Sequence, residues 1–157
     1  MIRMLAVTLL LATLLIPTAW AKSKHCTVRV HVQANANDGS VFATPITTPI
    51  SGKSVFIEKI PTISEHDVTA FRAYPASNGS FGALLQLSDH GRLALETLSI
   101  EHRGSTSLVI VNGRAVTELV VDRRVSDGQL YIASGLNALD IQSMEKDWPQ
   151  IGASKGR

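Results

Sequence analysis

Ser64-Glu65-His66-Asp67 sets hydroxyl, carboxylate and imidazole side by side, the residue types of a hydrolytic triad. A triad needs its members to converge from different segments so that a base meets a nucleophile. Four consecutive residues on one turn point in different directions, so helix capping is the expected role, with Ser64 at the cap and Asp67 three residues on. No G-x-S-x-G elbow occurs elsewhere. The five histidines, His25, His31, His66, His90 and His102, never make the H-x3-H spacing of two ligands on one helix face. His90 and His102 fall on one predicted helix. Twelve residues at about 1.5 Å each separate them by roughly 18 Å, too far to share a metal. All five read as isolated surface side chains. Glu96 and Glu101 project about 140° apart on the same helix, which predicts a solvated face. The glycines form no phosphate-binding fingerprint. No catalytic residue, metal or cofactor is expected from these patterns.

Two groups remain that could hold a partner. Asp122-Arg123-Arg124 with Asp127 is a charged connection, read as a solvated loop whose paired arginines could meet an anion or a peptide. Phe81, Tyr74, Tyr131 and Trp148 are read as core, or, if exposed together, as the lining of a groove. The candidate partner-binding residues are therefore Arg123, Arg124, Phe81 and Tyr131. The edge strand expected over Val116 to Val121 could accept a peptide by strand addition.

These residues sit in a chain built for export. Arg3 supplies a basic start, Met4 to Ile16 is uncharged and apolar, Pro17 breaks the run, and Ala19-Trp20-Ala21 gives the small residues read by a signal peptidase. The run is shorter than the roughly 20 apolar residues that a spanning helix needs. Charged Lys24 and bulky His25, ahead of the lone Cys26, argue against lipid attachment. Removing residues 1–21 from 157 leaves 136, the size of one domain. That part carries 14 basic and 13 acidic side chains, so no electrostatic grip on nucleic acid or anionic lipid is expected. One cysteine cannot form a disulfide within the chain. Cys26 is read as buried at the start of a strand, with intermolecular pairing or a free thiol as the alternatives.

The elements that must position these groups follow from periodicity. Val28, Val30 and Val32 alternate with Arg29, His31 and Gln33, a half-buried strand. Asn35 to Ser40 is a turn, and Val41 to Ile50, with Pro45 and Pro49, is an edge or loop. Strands are expected over Lys53–Ile57, Val68–Tyr74 and Phe81–Leu87, the last two joined through Asn78-Gly79. Ser88 caps a helix that runs to about Arg103 and stops at Gly104, with Ala94, Leu95 and Leu98 as its buried side. Ser107–Val111 and Arg114–Val121 flank the hairpin turn Asn112-Gly113, with Val116 and Val120 on one face. Gln129–Ala133 follows Asp127-Gly128. A last helix spans about Asn137 to Trp148 and ends at Pro149, and Ile151 to Arg157 reads as a loose tail. Segregated helices and hairpins predict an α+β fold, a mostly antiparallel sheet with two helices packed on one face.

From Phe81 to Trp148 the pattern resembles the first periplasmic domain of the protein-export membrane protein SecD. The resemblance rests on Gly91, Thr97, Gly104, the run Leu108-Val109-Ile110-Val111-Asn112-Gly113, Asp127-Gly128, Ile132-Ala133-Ser134-Gly135 and the closing helix through Trp148. Upstream, Ile63-Ser64-Glu65-His66-Asp67-Val68 looks like the segment before that domain's first paired strand. The expected division is a signal peptide over 1–21, an N-terminal strand and loop region over 22–60, the SecD-like domain over 61–151 and a flexible tail over 152–157. SecD also carries transmembrane helices that couple the proton gradient to late export, and no span follows the signal here. The resemblance thus implies a stand-alone, non-catalytic domain in the periplasm or secreted. Its expected partner is an unfolded polypeptide, another protein or a membrane complex. The alternative reading is a small secreted hydrolase with an active site that no motif reveals. The sequence leaves the oligomeric state open.

Overall fold

The structure is a computed structural model, and it describes residues 24–153. The export segment therefore lies outside the described residues. Valine alternation produces β1 (Val28–Val32), as expected. The turn-forming stretch after it coils into a 3-10 turn, Ala36–Asp38, and a single helical turn, α1 (Gly39–Phe42), where a simple reversal was expected. Asn35 caps this turn by accepting from the Asn37 amide (3.0 Å). β2 (Ala43–Thr47) and β3 (Ser54–Glu58) then form a small antiparallel hairpin. A 3-10 turn at Glu65–Asp67 leads into β4 (Val68–Pro75), which pairs with β5 (Phe81–Leu87).

Helix α2 (Asp89–Glu101) starts where Ser88 accepts from the Gly91 amide (3.2 Å) and stops just before Gly104. β6 (Thr106–Val111) and β7 (Arg114–Val120) are joined by Asn112 and Gly113, both at positive φ (49° and 77°). That backbone matches the twist of a two-residue hairpin, and Asn-Gly tolerates it best. β8 (Gln129–Leu136) and α3 (Ala138–Asp147) follow. In α3, Asn137 and Asp140 form a reciprocal capping box.

The fold is α+β, but the strands divide into three sheets rather than one: β1-β6-β7, β2-β3 and β4-β5-β8, all antiparallel. The inner faces of the two larger sheets share one core with Leu95 and Leu98 of α2 and Met144 of α3. Phe71, Leu85 and Ile132 are fully buried in it; each such side chain contributes roughly 1.5–3 kcal/mol of transfer free energy. Val28, Val30 and Val32 enter the same core, so the N-terminal strand is integral to it. The outer face of β1-β6-β7 is covered by the β2-β3 hairpin. His31 Nδ1 meets the Glu58 carbonyl (2.7 Å), and Glu118 accepts from the amides of Ile50 and Ser51 (2.9 and 2.8 Å).

Three local expectations are corrected. His31 is buried beneath the hairpin, not on the surface. Val116 and Val120 do not share a face: a bulge in the β6-β7 ladder gives the strand an extra residue there, so Val116 is buried and Val120 is exposed. Ile151 is not loose. Its amide donates to the Phe71 carbonyl (2.8 Å), and the Phe71 amide donates to the Pro149 carbonyl (3.0 Å), so Pro149–Ile151 lies along the free edge of β4.

Candidate functional site

The hydrolytic residue types are brought together, but in the wrong order. Asp67 Oδ2 accepts from the Ser64 amide (2.9 Å) and hydroxyl (3.2 Å), closing the capping box. Asp67 Oδ1 is 2.6 Å from His90 Nδ1, delivered by the first turn of α2. The serine hydroxyl thus donates to the carboxylate rather than to a histidine base, while His66 points to solvent. Burial works to raise the Asp67 pKa, but the bonds from Ser64 and His90 outweigh it and hold it below the ordinary 3.8. This is an anchored cap that ties β4 to α2. The sequence carries no sign of the His90 partnership, because only the tertiary approach of α2 creates it. His90 and His102 both line a groove of about 360 Å³ along α2, with Glu58 and Glu101. Among the described residues no cluster of three metal-ligating side chains occurs.

A second anchored carboxylate lies at the other end of β1. Asp147 receives the Cys26 amide (2.7 Å) and faces His25 Nδ1 (2.9 Å). Burial opposes ionisation there too, yet these bonds keep its pKa below the ordinary 3.8. Cys26 is fully buried, and burial pushes its thiol up to about 11, so it is a packing residue and not a nucleophile.

A second opening lies between the two main sheets. β8 runs back along β7, and the strands touch at one end. There the Gly135 backbone sits so close to the Val116 carbonyl that a Cβ would crowd it, and Arg114 donates to the Gly135 carbonyl (3.1 Å). Arg114 is itself gripped by buried Asp140 (2.7 Å), which also receives Asn112 Nδ2 (2.9 Å). Toward the other end the strands part, and residues 121–128 loop across the gap. A cleft of about 420 Å³ opens here. Leu95, Leu98 and Leu119 form its inner wall, and Leu84, Val120 and Tyr131 its outer rim. Val120 and Tyr131, on the edge strands β7 and β8, are 69% and 56% exposed. Ser107 is fully buried against this cleft, and its hydroxyl has no hydrogen-bond partner.

The candidate partner-binding residues distribute unevenly. Arg123 and Tyr131 both line the cleft. Arg124 is bound to Glu96 through Nε (2.8 Å) and Nη2, and Glu96 also meets Arg92 (3.5 Å). Glu96 is therefore a clamped ion-pair centre, not part of a solvated face. Phe81 packs on the core at the opposite end of β5, beside Arg114 and Gly135. Trp148 is buried in the core, so the four aromatics do not share one groove. Tyr74 and Tyr131 do meet, stacked with centroids 5.5 Å apart. Gly82 stands between them on β5, where a Cβ would overlap the Tyr74 ring. The absent side chain lets Tyr74 reach across and donate to the Ile132 carbonyl, and burial raises its pKa further above the ordinary phenol range. The Asn-Gly and Asp-Gly turns signalled the strands around the cleft; nothing in the sequence signalled that the strands would part.

Comparison with known structures bears on the whole arrangement. The chain superposes on SecDF in its super-membrane-facing form with a TM-score of 0.53, and on a membrane component SecDF that enhances protein export with a TM-score of 0.51. The fold is SecD-like. Each match covers 79% of this chain at 14% identity, and the chain spans 18% and 59% of the two SecDF chains. No family model matches the sequence, and no curated protein matches it. Among the described residues no helix is long and apolar enough to cross a membrane.

Proposed function

We propose that this protein is an exported, periplasmic or secreted binding domain that holds protein segments, in the manner implied for a stand-alone SecD-like domain, and that it is not an enzyme. The observation that carries the reading is the β7-β8 cleft, an apolar opening of ligand-pocket size bordered by exposed Val120 and Tyr131. The SecD-like fold supports a role in protein export, since one of the SecDF structures it matches is of a membrane component that enhances export. Arg123 at the cleft wall is the charged contact assigned to the partner, and Tyr131 the aromatic one. Arg124, committed to Glu96, positions the loop that carries Arg123. Phe81 belongs to the interface only for a partner large enough to extend beyond the cleft. The hydrolase alternative is disfavoured by the direction of the Ser64–Asp67 bond, which leaves no base on the hydroxyl.

The test is titration of the purified mature domain with reduced, unfolded polypeptides, followed by fluorescence anisotropy. Saturable binding at micromolar concentration is expected, weakened in Tyr131→Ala. Absence of binding at high micromolar concentration contradicts the reading.

A further inference from the structure

We infer that the β7-β8 cleft takes an extended polypeptide segment as an inserted strand, hydrogen-bonded to the main chain of both edges. This rests on the segment-holding reading above and specifies how the segment is held. In an antiparallel ladder, successive residues turn their amide and carbonyl alternately toward and away from the neighbouring strand. Val121 bonds back toward β6, its amide to the Ser105 carbonyl and its carbonyl to the Gly104 amide. The alternation therefore turns the main-chain groups of Val120 and Glu118 away from β6, and those of Val120 lie at the cleft. On β8, the Gly128 carbonyl accepts from Leu87 of β5, which by the same alternation turns Gln129 and Tyr131 toward the cleft. The Gln129 amide is taken by Asp127 Oδ1 (3.0 Å); the Tyr131 amide and carbonyl have no partner strand, because β7 and β8 do not pair. The main-chain groups of Val120 and Tyr131 thus face the opening from its two sides.

The chemistry of the walls defines the segment. Residues of an inserted strand alternate between the outer rim of Leu84, Val120 and Tyr131 and the inner wall of Leu95, Leu98 and Leu119. Both favour apolar or small uncharged side chains, and a charge on the inner side would be desolvated without a partner. Ser107 adds a buried hydroxyl at the inner wall that has no hydrogen-bond partner among the described residues. A fully buried hydroxyl without a partner is costly, and its place against the cleft gives an incoming hydroxyl or amide a ready partner.

The probe is an acetylated, amidated heptapeptide alternating valine and threonine, titrated by calorimetry into the mature protein. Two further peptides carry N-methyl groups on alternate residues, one on each parity, which remove amide donors and leave the side chains in place. Each N-methyl pattern is expected to weaken binding at least about tenfold, the equivalent of one or more lost hydrogen bonds. Val120→Pro, which deletes a cleft-facing donor without taking one from the β6-β7 ladder, should do the same, whereas Val120→Ala should weaken binding by less than about threefold. N-methylated peptides that bind as tightly as the parent would overturn strand insertion while leaving segment binding intact. A parent peptide that does not bind while unfolded polypeptides do would also overturn it, and if neither binds, both readings fall.

Discussion

The two main sheets treat their outer and inner edges differently. On the outside, β4 is met by Pro149–Ile151, and β1 is met by Thr62 and Ile63, which exchange main-chain bonds with Val30 (both 2.9 Å). β2, the free edge of the hairpin, carries Pro45, which has no donor to offer. On the inside, β7 and β8 touch at one end, at Val116 and Gly135, and part at the other, where the cleft opens. A bare edge invites association with other chains, and proteins ordinarily cover it or spoil it. Here the chain covers the edges that lead nowhere and leaves open two that face one another across an apolar cleft. The contrast is what turns an irregular sheet into a candidate binding slot.

The closed end of the slot should be the most sensitive point. Asp140→Ala removes the buried anchor of Arg114 and Asn112 and the α3 capping box together, and is expected to cost about 2–4 kcal/mol in chemical denaturation. A loss below about 1 kcal/mol would mean that the closed end is held by something else. Next comes the covered edge. Ile151→Pro deletes the bond to the Phe71 carbonyl, with an expected loss of about 1 kcal/mol and self-association detectable by sedimentation. An unchanged monomer of unchanged stability would remove the protective role given to this segment.

A smaller effect concerns pH. Asp67 and Asp147 have folded-state pKa values below their ordinary 3.8. Their stabilisation is present above the ordinary value and is lost as pH falls through the depressed folded values. Stability should therefore decline below about pH 4, and Asp67→Asn with Asp147→Asn should flatten that decline in acid titrations. A double variant with the parent's acid profile would contradict the assignment. Smallest of all, Ser107→Ala should leave stability unchanged or raise it by about 1 kcal/mol, since it removes an unpaired buried hydroxyl. Any marked loss would show that the hydroxyl already has a partner.

Local chemistry made much of this fold legible. The valine alternation of β1, the Ser88 and Asn137 caps, the Asn112-Gly113 turn and the stop at Gly104 each act within a few residues, so the sequence carries them directly. What it did not carry depends on distant approach. His31 is buried because a separate hairpin folds over it, and His90 finds Asp67 only once α2 docks. Ile151 is ordered by β4, some eighty residues away. For the site, the sequence marked Arg123 and Tyr131 and an edge strand near Val116–Val121 but not the cleft that brings them together. A bulge in β7, an irregular stretch in the β5-β8 ladder and a missing side chain at Gly82 shape the strands beside the cleft, and none of them has a periodic signature.

Amide hydrogen exchange, resolved by residue, tests the open-edge account most directly. In the free protein the amides of Glu118, Val120 and Tyr131 should exchange rapidly, while those of Leu119 and Leu130, in the same strands but facing β6 and β5, stay protected. Addition of the valine-threonine peptide should slow the Val120 and Tyr131 amides at the cleft and leave Leu119 and Leu130 unchanged. Protection of Glu118, Val120 and Tyr131 in the free protein, equal to that of their neighbours, would mean that β7 and β8 are already paired in solution and would contradict the account.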